Sequence, residues 1–240
     1  MQLQKAQIRS QLQNDIFLLQ GFKPSNAGGN DVGLGIIKQV FPYSTFPTGA
    51  IHEFFYNGSE DASSSCGFIT GILSSLMKKG GATLWISSSK SLFPPALKNF
   101  GVEPEQIIFI HLKKDREKLW VMEEALKCKS LSCVIGEIND ISFTESRRFQ
   151  LAVEQTGVTG FVLRENPKNL STAFVTRWKI KPLATEKTDL PGIGFPRWNV
   201  ELLKVRNGKP GSWQMEWKSR GFRLVQQPAI ITVEEQRKII

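Results

Sequence analysis

The sequence predicts an α/β protein: a mostly parallel sheet with helices on both faces and an antiparallel extension towards the C-terminus. Three observations predict it. Strand-like and helix-like segments alternate from residue 50 to residue 163, the pattern of a parallel sheet joined by right-handed helical crossovers. Residues 49–71 read as a buried strand, a polar loop and the start of a helix, the arrangement of a phosphate-binding loop, here in degenerate form. From residue 173 onward, short runs broken by Gly and Pro replace the alternation, as antiparallel strands do.

Each element follows from its own pattern. Leu3, Ile8, Leu12, Ile16 and Leu19 share one face of a helix over 3–19, which Gly21 and Pro24 end. The Gly-, Asn- and Asp-rich stretch 25–35 is a flexible connection, so 1–34 stands apart from a core domain at 35–226 and a tail at 227–240. Pro42 and Pro47 bracket a turn before a strand at 50–56. A loop at 58–63 then leads into a helix at 64–79, where Phe68, Ile72, Leu76 and Lys79 recur at helical spacing. Gly80 and Gly81 end that helix, and 82–86 is a strand whose C-terminal end, 87–90, is where open parallel sheets place their sites. Pro94 and Pro95 open a helical segment at 93–100, 106–112 is a strand, and 115–128 is an amphipathic helix with Leu119, Met122, Ala125 and Leu126 inward.

A short buried strand at 132–136 ends in Glu137, a helix at 144–156 carries Phe149, Leu151, Ala152 and Val153, and 158–163 is a strand. The runs 173–180, 198–205, 213–217 and 222–225 form the extension. Gly208-Lys209-Pro210-Gly211 has strand-like flanks and no following helix, so it is a hairpin tip and not a phosphate cradle. Residues 185–194 are a surface loop and 232–240 a short helix or loose tail.

Composition narrows the function. At 240 residues and 40% hydrophobic content the chain buries one substantial core. Its 31 Lys and Arg against 22 Asp and Glu give a net charge of +9, which suits an acidic partner such as DNA or an acidic protein face, and equally a solvated basic surface. Cys66, Cys128 and Cys133 show no C-x-x-C spacing, so neither a disulfide framework nor a zinc site is expected, and a reduced, cytoplasmic protein fits. His52 and His111 lie in apolar, strand-like runs and read as structural histidines. No apolar run approaches the roughly 20 residues a membrane span needs.

A working phosphate-binding loop reads G-x-x-x-x-G-K-[ST], because backbone N–H groups wrap the phosphates, a lysine neutralises them and a hydroxyl holds magnesium. Counted from Gly58, the second glycine falls on Ser63 and the lysine on Ser64; Ser65 alone suits its position. Glu60 and Asp61 in the same stretch would repel a triphosphate. No catalytic residue, cofactor or metal is expected.

The strand at 49–56 and the block 84–101, Leu-Trp-Ile-Ser-Ser-Ser-Lys-Ser-Leu-Phe-Pro-Pro-Ala-Leu-Lys-Asn-Phe-Gly, resemble the ATPase core of the RecA recombinase. More narrowly, 119–125 (Leu-Trp-Val-Met-Glu-Glu-Ala), 134–137 (Val-Ile-Gly-Glu), Arg147-Arg148, 157–164 and 208–217 (Gly-Lys-Pro-Gly-Ser-Trp-Gln-Met-Glu-Trp) resemble the ImuA family of error-prone repair proteins. That likeness spans roughly 35–218 and extends distantly to the division inhibitor SulA. It implies a RecA-like core and a part in the SOS response to DNA damage. It further implies a non-catalytic accessory of translesion synthesis, beside an ImuB-like polymerase relative and a DnaE-type polymerase, with RecA as a further candidate partner. Against RecA, the catalytic glutamate is matched by Ser89, while the Walker B-like carboxylate persists as Glu137, with strand-end capping and metal roles both open. Two alternatives remain: a SulA-like inhibitor of a filament-forming target, and a divergent ATPase.

Candidate DNA or partner contacts are Arg147, Arg148, Arg177, Lys209, Arg220 and Arg223. Lys168, Lys179, Lys181, Lys204, Arg206 and Lys218 add to a basic C-terminal face. Trp178, Trp198, Trp213 and Trp217 interleave with these charges, a pattern compatible with stacking on bases and with burial in a sheet, and burial is the expected state. DNA binding, where present, is expected to be weak and sequence-tolerant.

Overall fold

The computed structural model describes residues 5, 8, 11–12, 31–89, 92–185 and 194–225. Its centre is a nine-stranded sheet in the order β3-β2-β4-β5-β1-β6-β7-β8-β9. The strands are β1 (Ile51–Tyr56), β2 (Ala82–Ser87), β3 (Ile107–His111), β4 (Leu131–Glu137), β5 (Thr159–Glu165), β6 (Thr176–Leu183), β7 (Arg197–Val205), β8 (Gly211–Lys218) and β9 (Gly221–Leu224). Pairings from β3 through β6 are parallel, and β6 to β9 are antiparallel. The expected mixed α/β architecture with an antiparallel extension is therefore the one observed.

Among the described residues, three helices cover this sheet. Helix α1 (Gly58–Leu76) lies on one face, and α2 (Asp115–Leu126) and α3 (Phe143–Thr156) lie on the other. Phe68, Ile69, Ile72 and Leu73 of α1 pack with Phe54, Phe161, Trp178, Trp198 and Phe222 in the larger core cluster. Gly71 makes this close approach possible, because a Cβ there would stand 2.6 Å from the Phe222 ring and 2.9 Å from the Trp217 ring. Helix α3 opens with a capping box: Ser142 accepts from the Glu145 N–H while the Glu145 carboxylate accepts from the Ser142 N–H. It closes on Gly157 in the left-handed conformation, φ 79°.

One boundary differs from expectation. Residues 58–63, read as a loop, form the first turns of α1, so only Asn57 separates β1 from the helix. Loop-favouring Ser, Asp and Gly are overridden here by the packing of the apolar face that follows. Residues 94–100 form a 3₁₀ segment, Pro94–Phe100. Val32 and Leu34, assigned to the connection, are buried in the larger cluster. Of the helix expected at 3–19, Lys5, Ile8, Gln11 and Leu12 are described, all four helical, with Ile8 and Leu12 each 56% exposed. The tail at 227–240 and most of the loop at 185–194 lie outside the described residues.

Two buried polar assemblies tie β1 to its neighbours. The His52 Nε2–H donates to the Pro47 carbonyl at 2.8 Å, so Nδ1 is the acceptor for the Thr176 hydroxyl at 2.7 Å, which in turn accepts from the Trp178 indole N–H. This satisfied, buried histidine matches the structural reading, and burial pushes its pKa down to about 3. Glu53 is buried as well: it binds Arg164 at 3.0 Å, Arg177 Nε at 2.9 Å and the Thr172 hydroxyl at 2.8 Å. Arg164, itself fully buried, gives its other donors to the Asn139 and Asn169 carbonyls. The free cysteines Cys66, Cys128 and Cys133 form no disulfide.

Candidate functional site

At the C-terminal ends of the parallel strands, beside the start of α1, lies a cavity of about 610 Å³. Leu92, Phe93, Leu97, Phe100 and Trp198 give it apolar walls, while Tyr56, Ser59, Ser63, Ser89 and Glu137 supply polar groups. This is where an open parallel sheet holds its ligand.

The residues present do not fit a nucleoside triphosphate. Gly58 takes a left-handed φ of 79° with open space around it, but the wrap of backbone donors that should follow is already helix. Ser63 is exposed on α1, whereas Ser64 and Ser65 are buried in its second turn, and the Ser65 hydroxyl has no hydrogen-bond partner. The helix N-terminus, which attracts anions, carries Glu60 and Asp61, and Asp61 accepts from the Asn57 N–H at 3.2 Å. These carboxylates put negative charge at the end of the helix that would attract an anion.

Glu137 sits at the end of β4 and accepts from the Ser88 N–H at 3.2 Å, the capping geometry of a strand-end carboxylate. Burial raises its pKa. Burial, reinforced by that carboxylate, pushes the Tyr56 hydroxyl and the Cys66 thiol each up to about 12, so neither is an activated nucleophile at neutral pH. Among the described residues, the lysine that reaches this region is Lys118 of α2, 3% exposed, which binds the Ser88 hydroxyl at 2.8 Å and Asp115 at 2.6 Å. It escaped the sequence reading, although 118, 122 and 125 lie on one helical stripe. Among the described residues no three His, Cys, Asp or Glu side chains converge as a metal site.

The six candidate contact residues do not form one patch. Arg147 is exposed on α3, and Arg148 on the same helix is ion-paired to Glu123 of α2. Arg177 faces inward to Glu53 and the Leu170 carbonyl, with 14% of its side chain exposed, which leaves little of it for an outside partner. Lys209 lies at the β7–β8 hairpin, where the expected turn forms with Asn207 at φ 58°. Arg220 lies in the β8–β9 turn at the opposite end of the sheet, and Arg223 is exposed on β9. Lys209 and Arg220 are therefore separated by the length of β8, roughly 25 Å at 3.4 Å per residue. Trp178, Trp198, Trp213 and Trp217 are all buried, so none is a stacking platform, and the exposed tryptophan is Trp120 of α2 at 66%.

This strand order, with a helix leaving β1 directly, defines a RecA-like α/β protein. The crystal structure of the RadB recombinase matches it with a TM-score of 0.56 at 12% identity, covering 82% of this chain and 100% of that one, a likeness of fold alone. No family model matches the chain. Protein ImuA from two strains of Caulobacter vibrioides is 32% identical over 212 residues, covering 80% of this chain and 87% of the relative. The chain belongs to the ImuA family. No helix among the described residues is long and apolar enough to cross a membrane.

Proposed function

We propose that this ImuA-family chain is a non-catalytic accessory of damage-induced, error-prone DNA synthesis that assembles polymerase components through protein contacts in the cytoplasm. The observation that carries the non-catalytic part is the acidic start of α1. Glu60 and Asp61 put negative charge into the first turn, Asp61 accepting from the Asn57 N–H, and the Ser65 hydroxyl is buried without a partner, so a RecA-like fold persists without a usable phosphate site. Losing one oriented electrostatic contact typically slows a reaction on the order of 10²-fold or more, and two are missing. Membership of the ImuA family supports the repair role, with an ImuB-like polymerase relative and a DnaE-type polymerase as partners and RecA as a third.

Two measurements test this. The purified protein is expected to show no magnesium-dependent ATP turnover, and Ser64→Lys is not expected to create it; turnover abolished by Ser65→Ala would overturn the reading in favour of a divergent ATPase. Co-purification with the ImuB-like partner is expected to need the segments at 3–19 and 227–240. A folded variant lacking 227–240 that still captures the partner fully would remove the tail from the interface. Division arrest on overexpression without partner capture would favour the SulA-like alternative.

A further inference from the structure

The larger core cluster draws residues from the whole sheet, but the cluster beneath α2 and α3 takes none from β6 to β9. Along these strands burial alternates from Thr176 to Lys181 in β6 and nearly so in β7 and β8, with Trp178, Ile180, Trp198, Val200, Trp213 and Met215 turned towards α1. The opposite face is mostly polar, with Leu203 exposed on it; no described helix packs over it, and the segment 166–175 borders it, its carbonyls accepting from Arg177, Lys204 and Arg206.

Its charge is one-sided. On β6 it carries Lys179 and Lys181 two residues apart, a spacing of about 6.8 Å, next to Arg177, which is engaged by Glu53. Pairing places Lys204 beside Arg177 and Glu201 beside Lys179, with Arg197 further along β7. Across β8 and β9 the same face adds Lys218 and Arg223. Glu201 and Glu216 are its carboxylates, and Glu216 is held by Arg197 at 2.8 Å. At the lower end, Arg206 lies within electrostatic reach of Arg147 on α3. Burial lowers the pKa values of Lys204 and Arg206; Arg177 and Arg206 add to it at the first, where Glu53 opposes, and at the second Glu154 opposes it while Arg147 adds to it. Positive charges held this close are stabilised when an anion arrives.

We propose that this helix-free face of β6–β9, with Arg147 at its border, docks the phosphate backbone of duplex DNA. Charge complementarity selects an anionic polymer, and the inward turn of every tryptophan in these strands selects the duplex. The exposed ring on this face, Phe195, already carries the Lys218 ammonium 5.0 Å from its centroid, so unpaired bases gain little there, whereas a duplex presents about one phosphate charge per 1.7 Å of its axis. Contacts to the backbone alone carry no sequence preference. The inference stands apart from the accessory reading: DNA binding and partner capture can each fail without the other.

The test is fluorescence anisotropy with the full chain and a short labelled duplex of mixed sequence, titrated at several salt concentrations. Lys179→Glu with Lys181→Glu is expected to weaken binding at least tenfold and, by removing two phosphate contacts, to reduce the slope of log K against log salt by about 1.8. Lys78→Glu with Lys129→Glu makes the same change in net charge on exposed sites away from this face and is expected to stay within about twofold. Should the first pair impair folding, judged by urea melts, Lys179→Gln with Lys181→Gln is expected to weaken binding about threefold with a shallower slope. The proposal is overturned by equal losses from both glutamate pairs, by an affinity indifferent to salt, or by tighter binding of the matching single strand. Equal competition from polyglutamate of matched charge would also overturn it, in favour of an acidic protein partner.

Discussion

The two halves of the sheet solve the burial problem differently. From β3 to β1 the strands are parallel and helices cover both faces, so β2, β4 and β5 are nearly continuous runs of buried residues. From β6 to β9 the strands are antiparallel and only the α1 side is covered, so tryptophans alternate with lysines and arginines. The first half supplies Tyr56 and Glu137 to the cavity beside α1; the second carries the unshielded charge. The core contacts of α1 run through Phe68, Ile69, Ile72 and Leu73, away from its first turn.

The boundary between the halves runs through β1, and the largest expected effect lies there. Glu53→Ala leaves Arg164 charged and buried without its partner, and is expected to cost about 3–5 kcal/mol in denaturant unfolding. Replacing Glu53 and Arg164 together with leucine should recover most of that loss; if the double variant is no better than the single one, the pair is not acting as a unit.

His52, at the same boundary, gives acid sensitivity. Its folded pKa of about 3 lies below the ordinary 6.5, so between these values the unfolded chain binds the extra proton. Stability from this residue is therefore complete above pH 6.5 and falls with acidification, by on the order of 4 kcal/mol down to pH 3. Urea melts across that range, compared with His52→Gln, should show a shallower decline in the variant.

A smaller loss is expected at the contact of α1 with the antiparallel half. The methyl added by Gly71→Ala meets the Phe222 and Trp217 rings. Overpacking of about 1–3 kcal/mol, partly offset by a helix gain of about 1 kcal/mol, leaves a net destabilisation visible as a lower urea midpoint. On the open face, Lys179→Ala should change stability by less than about 0.5 kcal/mol. A large loss there would mean that something packs over it.

The parallel half was readable from sequence because its strands are apolar runs and its helices keep their stripes. The start of α1 was not, because Gly-Ser-Glu-Asp-Ala-Ser has loop chemistry and only the contacts of Phe68 and Ile72 draw it into the helix. Lys118 was hidden by an assumption that inward positions are apolar. The basic residues were visible as composition, and Trp178-Lys179-Ile180-Lys181 even shows the two-residue period. Which charges share a face depends on strand pairing, including the register shift between Arg177 and Trp178, and no local pattern announces that. Ion pairs hidden in the fold removed Arg148 and Arg177 from the available charges for the same reason.

The Glu53 cluster also bears on how such a chain can drift over generations. A substitution at Glu53 alone strands Arg164, and one at Arg164 alone leaves the buried Glu53 with Arg177 and Thr172 only and strips the Asn139 and Asn169 carbonyls of their donor. Each first step is a deep fitness valley, crossed only when both positions change nearly together. Among relatives of this protein the two sites should therefore inherit as a pair, acid with base or apolar with apolar, while Lys179 and Lys181 vary one at a time.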